Sequence, residues 1–178
     1  MEKGVNFWDK AKYLWLDSSF GSVVDYYVYK QNAGWFPYFY SDGERISYVS
    51  LSPLAGDLPV IAWIVKEKRD NGLYAVVYYE LPVYTKTCRE LDWDYISGNY
   101  KKGSSLQLLD GVTDINMEFY GFDSLKRTAR WSQDFDGSTR KSLPSTVKLT
   151  YVSDGKKQTL LFCINTNSTM KADYYENN

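Results

Sequence analysis

The sequence LQLLDGVTDINMEFYGF at residues 106–122 and the sequence SLPSTVKLTYV at residues 142–152 decide how the chain folds. In the first, the apolar residues Ile115, Met117 and Phe119 alternate with Asn116, Glu118 and Tyr120. This alternation is typical of a strand with one face on a core and the other in water. The second begins at Leu143-Pro144, and proline suits the first position of a strand better than its interior. Two strands joined by a polar segment that contains Trp131 are therefore predicted.

Two further pairs of strands are predicted by turn sequences. Asn71-Gly72 and Asp154-Gly155 each separate two runs rich in apolar and aromatic residues. The paired runs are residues 60–66 with 73–81, and residues 147–152 with 159–164. Such dipeptides favour hairpins because both residues tolerate positive φ. Residues 85–105 are more polar and are predicted to form a long excursion between strands.

A helix is predicted at the N-terminus from the spacing of its apolar residues. These recur at intervals of three and four, at Phe7, Trp8, Ala11, Leu14, Trp15, Phe20, Val23, Val24 and Tyr27. That spacing places them on one stripe of a helix, for which Asn6 is a suitable N-cap. The predicted fold class is therefore α+β, with an N-terminal helix packed on antiparallel β-sheets in a single domain, residues 1–178.

Composition narrows the range of functions. Lys and Arg total 21 and Asp and Glu total 22, so no charge excess indicates a nucleic acid or an acidic membrane surface. No apolar run reaches the roughly 18 residues that would span a bilayer. Aromatic residues make up 17% of the chain, which favours a sheet-rich core, although a surface that binds sugar rings would use the same residue types.

Catalytic and metal chemistry have little support in the sequence. The chain contains no histidine, which removes the usual general base, zinc ligand and activator of a nucleophile. Asp92, Asp94, Asp134 and Asp136 offer acid pairs for glycoside hydrolysis or oxygen ligands for a cation. However, Asp-x-Asp in sequence rich in glycine and serine is ordinary turn chemistry. We expect no catalytic residue, no cofactor and no metal site.

The two cysteines leave a disulfide possible without requiring one. Cys163 lies in the apolar sequence LLFCI, where a buried free thiol is expected, and Cys88 lies in the more polar TKTCRELDW. In an oxidising compartment the two thiols would pair if the sheet brought them close together.

Several short motifs follow one another in an order that is informative as a whole. They are Ile46-Ser47-Tyr48-Val49-Ser50, Pro53, the paired strands before Leu81-Pro82, Leu108-Leu109-x-Gly111-Val112, Phe119-Tyr120, a tryptophan loop, and Leu143-Pro144-x-x-Val147-x-Leu149. This order resembles the J-type minor pseudopilins of bacterial type II secretion systems, over most of the chain. Minor pilins of type IV pili are a close alternative.

The resemblance implies a pilin-like periplasmic domain of an inner-membrane protein of a Gram-negative bacterium. Membrane attachment would be through an N-terminal half-helix that this chain lacks. Residues 1–30 would be the distal part of the helix, residues 31–170 the β-rich body and residues 171–178 a tail. The implied role is to join the I-type and K-type minor pseudopilins at the tip of the pseudopilus, in support of protein secretion.

Candidate partner-binding residues lie on the predicted helix. They are Phe7, Trp8, Leu14, Trp15 and Leu16, which cover more than half of its circumference. One sheet needs a narrower stripe, so the excess is expected to meet another chain or to be covered by the protein's own loops. By the resemblance, that other chain would be the I-type pseudopilin. A separate functional alternative is an aromatic-rich extracellular β domain that binds carbohydrate.

Overall fold

The computed structural model describes residues 7–165, with side chains from residue 9 onward. Strands account for 50% and helices for 19% of the structure. In chain order the elements are α1 (Phe7–Gly21), β1 (Tyr27–Lys30), β2 (Gly34–Pro37), β3 (Phe39–Ser41), β4 (Arg45–Ser50), β5 (Val60–Lys68), β6 (Tyr74–Pro82), α2 (Cys88–Ile96), β7 (Ser104–Asp123), β8 (Thr128–Ser132), β9 (Phe135–Asp136), α3 (Gly137–Arg140), β10 (Thr146–Ser153) and β11 (Lys156–Cys163). A 3₁₀ turn, Asn99–Lys102, separates α2 from β7.

Nine of the strands form one antiparallel sheet that curls into a half-barrel. Their order is β11-β10-β7-β6-β5-β4-β3-β9, and β8 pairs with β7 beside this path. β1 and β2 form a separate antiparallel pair. The long strand β7 joins the two halves of the sheet, because its first part pairs with β6 and its second part with β10. Gly111 at φ 64° and Asp114 at φ 52° lie at this change of partner, where an irregular backbone increases the bend of a strand.

Both faces of the central strands are buried, in two separate cores. One core contains Tyr48 of β4 together with Leu16 and Phe20 of α1 and the inward residues of β7 and β10. The other contains Val49 of β4 and Trp63 of β5, and it is covered by the β1–β2 pair, α2 and the 3₁₀ turn. Neighbouring residues of a strand point to opposite faces, so β4 contributes to both cores.

The predicted fold class is wrong. The protein is a mostly β structure built on a curled antiparallel sheet with short helices, and it is not an N-terminal helix packed on sheets in the manner of a pilin. The physical reason is that strand residues supply most of the main core, to which α1 contributes Leu16 and Phe20. The helix ends at Gly21, and the predicted continuation to Tyr27 instead enters strand β1. The proposed Asn6 cap and the tail, residues 171–178, lie outside the described residues.

Both predicted hairpins are confirmed. β5 pairs with β6 from Val60↔Pro82 to Lys68↔Tyr74, and β10 pairs with β11 up to Ser153↔Lys156. Asp154 and Gly155 both have positive φ, of 51° and 71°. In the β5–β6 hairpin, Gly72 has positive φ and Asn71 does not. The turn there is wider, because the Gly72 backbone N–H donates to the Arg69 carbonyl at 3.0 Å and Gly72 is its left-handed last residue.

Helix α2 lies within residues 85–105, for which the sequence predicts only a long excursion between strands. Thr87 caps it by accepting from the Glu90 backbone N–H at 3.3 Å, and the Glu90 carboxylate accepts from the Thr87 backbone N–H at 2.6 Å. This reciprocal capping box satisfies backbone donors at the first turn. Leu91 then anchors the helix in the second core. The signal was present in the sequence as Thr-x-x-Glu, although it was hidden by polar composition.

The cysteines do not form a disulfide. Cys88 is buried at the start of α2, whereas Cys163 is exposed at the end of β11. The expectation that Cys163 is buried was wrong, because the alternation of β11 directs Phe162 into the core and the next residue outward. The Cys88 thiol packs in the second core from α2, whereas Cys163 of β11 lies outside both cores.

Candidate functional site

The five candidate partner-binding residues do not share one environment. Leu16 is buried in the main core, and the Trp15 ring packs edge-on against Tyr78 with ring centroids 4.5 Å apart. Leu14 is 54% exposed. Phe7 and Trp8 belong to the first turn of α1, but their side chains lie outside the described part of the structure. Among the described side chains of this set, Leu14 is the one that is mainly exposed, and Trp15 is partly buried.

A cavity of about 250 Å³ lies where the β1–β2 pair, the β3–β4 pair, α2 and the β9–α3 segment meet. We call it the Arg45 cavity. It is lined by Lys30, Phe36, Tyr38, Phe39, Tyr40, Arg45, Cys88, Asp92, Ile96, Asp136 and Ser138. The fold brings these side chains together from distant parts of the sequence, and no local motif marks them.

Arg45 begins β4 and is 8% exposed. Its backbone N–H donates to the Asp42 carboxylate at 3.1 Å, in a turn that positions the start of the strand. The guanidinium carbon lies 3.6 Å from the ring centroid of Tyr95 and 4.7 Å from that of Tyr40. These rings stabilise the charge by cation–π attraction. Within the described structure, the buried Nε atom has no hydrogen-bond acceptor and no carboxylate forms an ion pair with this side chain.

Asp92 and Cys88 face the same cavity from α2. Burial raises the pKa of the Asp92 carboxyl above its usual range, and the nearby Arg45 charge opposes that effect only in part. The Cys88 thiol donates weakly to the Asp92 carboxylate, with sulfur and oxygen 3.9 Å apart. Burial, followed by the charge of Asp92, raises the pKa of Cys88 to about 11. This thiol is therefore protonated at neutral pH and is a poor nucleophile.

The acid pairs that the sequence suggested are separated by the fold. Asp92 and Asp136 both line the Arg45 cavity, whereas Asp94 forms an ion pair with Lys86. Asp134 is exposed in the loop before β9, and Asp136 caps α3 by accepting from the Ser138 backbone N–H at 2.8 Å. Across residues 9–165, no group of three or more cysteine and acidic side chains is placed to hold a metal ion.

Arg45 was missed when the sequence was considered alone. Its only local signal is an arginine at the start of the apolar strand RISYVS, all of whose residues are buried. A charged residue that opens a strand is ordinary, so this signal is weak. Its burial depends on Tyr95 of α2, and α2 itself was not predicted.

None of the helices in the described residues is long and apolar enough to cross a membrane. Comparison with known proteins gives no relative: no protein-family model and no curated protein sequence matches the chain.

Proposed function

We propose that the protein is a structural assembly component, a J-type minor pseudopilin that joins the I-type and K-type minor pseudopilins at the tip of a type II secretion pseudopilus. The proposal rests on the order of the sequence motifs and not on a pilin-like fold. The observation that carries it is that the later motifs lie on adjoining strands. Val147 and Leu149 of β10 pair with Phe119 and Met117 of β7, and Trp131 of β8 pairs with Tyr120.

These motif residues form the framework of the protein. Met117, Phe119, Val147 and Leu149 are all buried in the main core. The motif order therefore reflects a fold requirement, as expected for a protein whose role is to present a surface to its neighbours. Of the suggested catalytic acids, Asp136 caps α3 and lines the Arg45 cavity together with Asp92, and Asp94 is ion-paired with Lys86.

The surface that supports this role lies where α1 crosses β11. The Tyr13 hydroxyl donates to the Leu161 carbonyl at 3.2 Å, and Leu14 and Leu161 are both about half exposed. Among residues 7–165, β11 ends the strand order and no strand pairs with its outer side, where another chain could bind. We propose that the I-type pseudopilin contacts this α1–β11 surface and that the K-type completes the complex in the periplasm.

Co-purification with the soluble domains of the I-type and K-type pseudopilins from the same bacterium tests the proposal. Wild type should form a complex, and Leu14→Glu should weaken it at least about tenfold because a charge replaces a central apolar contact. Leu58→Glu is the matched control, since Leu58 is 48% exposed in the loop between β4 and β5, away from the proposed surface.

Three outcomes would change the assignment. Failure of the wild type to bind either domain would refute the pseudopilin role. Binding to minor pilins of a type IV pilus instead would transfer the role to that system. Equal loss of binding in both variants would reject the α1–β11 surface as the contact.

A second candidate function is carbohydrate binding, favoured by one exposed aromatic pair. Tyr29 and Trp35 are opposite one another in the β1–β2 pair, with ring centroids 5.7 Å apart, and are 55% and 58% exposed. Exposed aromatic faces stack on sugar rings. A glycan array should show binding that Trp35→Ala abolishes, with Trp93→Ala on α2 as the control; an array without a wild-type signal would eliminate this function.

A further inference from the structure

Two side chains of opposite charge face the Arg45 cavity without pairing with each other. In the described part of the chain, the Arg45 guanidinium has no hydrogen bond or ion pair, and the Asp92 carboxylate has only the weak contact with the Cys88 thiol. A buried charge without a partner is costly. A guanidinium is suited to two parallel hydrogen bonds with a carboxylate, and a carboxylate is suited to an ammonium group. The Tyr40 and Tyr95 rings stabilise the Arg45 charge, and Asp92 is only partly buried, but the guanidinium N–H groups and the Asp92 carboxylate are both left available to a ligand in the cavity.

We propose that the Arg45 cavity binds a free α-amino acid, whose carboxylate pairs with the Arg45 guanidinium and whose ammonium group pairs with the Asp92 carboxylate. The other charged side chains of the cavity favour a ligand that carries both a positive and a negative charge. Lys30 and Asp136 also line the cavity, so its cationic and acidic groups are equal in number. A purely anionic ligand would face two carboxylates and a purely cationic ligand would face two positive groups, both with unfavourable Coulomb energy.

The size of the cavity suits a small molecule. Its volume of about 250 Å³ is below the roughly 300–1,000 Å³ typical of sites for drug-sized compounds. Phe36, Phe39 and Ile96 contribute apolar surface to the lining. This surface can receive the side chain of the amino acid, so we expect apolar amino acids to bind more tightly than acidic or basic ones.

The site is independent of the assembly role. Arg45 and Asp92 lie on β4 and α2, whereas the proposed pseudopilin contact lies on α1 and β11. Loss of one activity in a variant can therefore be distinguished from loss of the other, because Leu14→Glu should leave amino-acid binding unchanged.

Isothermal titration calorimetry of the wild-type protein with each of the twenty free L-amino acids is the direct test. At least one apolar amino acid should bind with a dissociation constant of about 1 mM or lower. Its N-acetyl derivative and its carboxamide should each bind at least about tenfold more weakly, because each lacks one of the two charged groups. These comparisons use the wild-type protein and need no variant to fold.

Two substitutions then test the assigned residues. Arg45→Gln and Asp92→Asn should each weaken binding at least about tenfold, whereas Arg89→Gln and Asp57→Asn should leave it unchanged. Arg89 and Asp57 are exposed and lie outside the cavity, so they are matched controls. Thermal unfolding of every variant establishes that it is folded before binding is compared.

The outcomes separate the competing explanations. No binding by any amino acid would overturn the proposal, and so would equal binding of the N-acetyl and carboxamide derivatives. Binding of neutral sugars in preference to amino acids would overturn it too, and would favour a carbohydrate site. A structure in which Arg45 and Asp92 close into a direct ion pair, with no affinity for amino acids, would show that the two charges serve each other.

Discussion

Glu80 provides a quantitative test of how the long loop between β4 and β5 is attached to the sheet. Its side chain projects from β6 and the residue is 2% exposed. The carboxylate accepts hydrogen bonds from the backbone N–H groups of Leu54 at 2.8 Å and Ala55 at 2.9 Å. It also accepts from the Tyr78 hydroxyl at 2.6 Å. Burial raises the pKa of Tyr78 above its usual range, so this hydroxyl remains protonated and continues to donate.

The substitution Glu80→Gln keeps the shape of the side chain and removes one acceptor atom. Leu54 and Tyr78 donate to one carboxylate oxygen and Ala55 donates to the other. A glutamine can place its oxygen at one of these positions, and its NH₂ group then faces a donor at the other. One charge-assisted hydrogen bond is lost and one buried donor loses its acceptor, so the free energy of unfolding should fall by about 2–3 kcal/mol.

Urea unfolding at pH 7, followed by tryptophan fluorescence, measures this difference. Hydrogen exchange should also show faster exchange of the Leu54 and Ala55 amides in the variant, because the loop loses its attachment. Glu44→Gln is the control: Glu44 is exposed and its ion pair with Lys66 at 3.5 Å should contribute less than about 1 kcal/mol. The reasoning would be refuted if Glu80→Gln were as stable as Glu44→Gln and its two loop amides kept their protection.

Three further predictions concern other parts of the molecule. Because burial raises the pKa of Asp92, its ionised form is disfavoured in the folded state, and the free energy of unfolding falls as pH rises through that pKa. Asp92→Asn should therefore have a higher melting temperature than wild type at pH 7. The two melting temperatures should become equal below about pH 3, where Asp92 is protonated in both the folded and the unfolded state. Titration with a thiol reagent at pH 8 should modify Cys163 quickly and Cys88 only after unfolding, since Cys88 is buried with a pKa of about 11. Rapid modification of both thiols in the folded protein would contradict the burial of Cys88. Gly103→Ala should destabilise the protein by about 1–3 kcal/mol, because its Cβ would lie 1.8 Å from a β6 carbonyl oxygen, whereas Gly21→Ala, whose Cβ meets nothing within 4 Å, should not.

The parts of the fold that sequence predicts well are those fixed by neighbouring residues. The Asp154-Gly155 turn forms its hairpin because both residues adopt positive φ, which is a local property. The alternation of residues 115–119 likewise places Met117 and Phe119 in the core. These features need no information from distant parts of the chain. The same reasoning found the first turns of α1 from the spacing of its apolar residues.

The parts that were missed depend on contacts between distant segments. The curl of the sheet arises where β7 changes partner near Gly111, and a single strand pattern contains no information about its partners. An amphipathic helix that precedes several strands was therefore compatible with more than one fold class. The Arg45 cavity is a stronger example, because Arg45 is enclosed by Tyr40 from β3 and Tyr95 from α2. Tyr40 is close to Arg45 in sequence, but Tyr95 is far from it, and no local sequence pattern links Tyr95 to Arg45.

Buried acids elsewhere in the protein have strong partners, and Arg45 and Asp92 differ from them. Buried Asp94 is paired with Lys86, and buried Asp123 accepts from Arg130 with nitrogen and oxygen 2.8 Å apart. The chain thus provides each of its fully buried acids with a cation or, for Glu80, with three hydrogen-bond donors. Arg45 and Asp92 depart from this rule although they line one cavity and carry opposite charges. Departures from otherwise consistent design are expected at functional sites, where stability is given up for binding. A gain in stability of Asp92→Asn, accompanied by loss of amino-acid binding, is the combination that this trade-off requires.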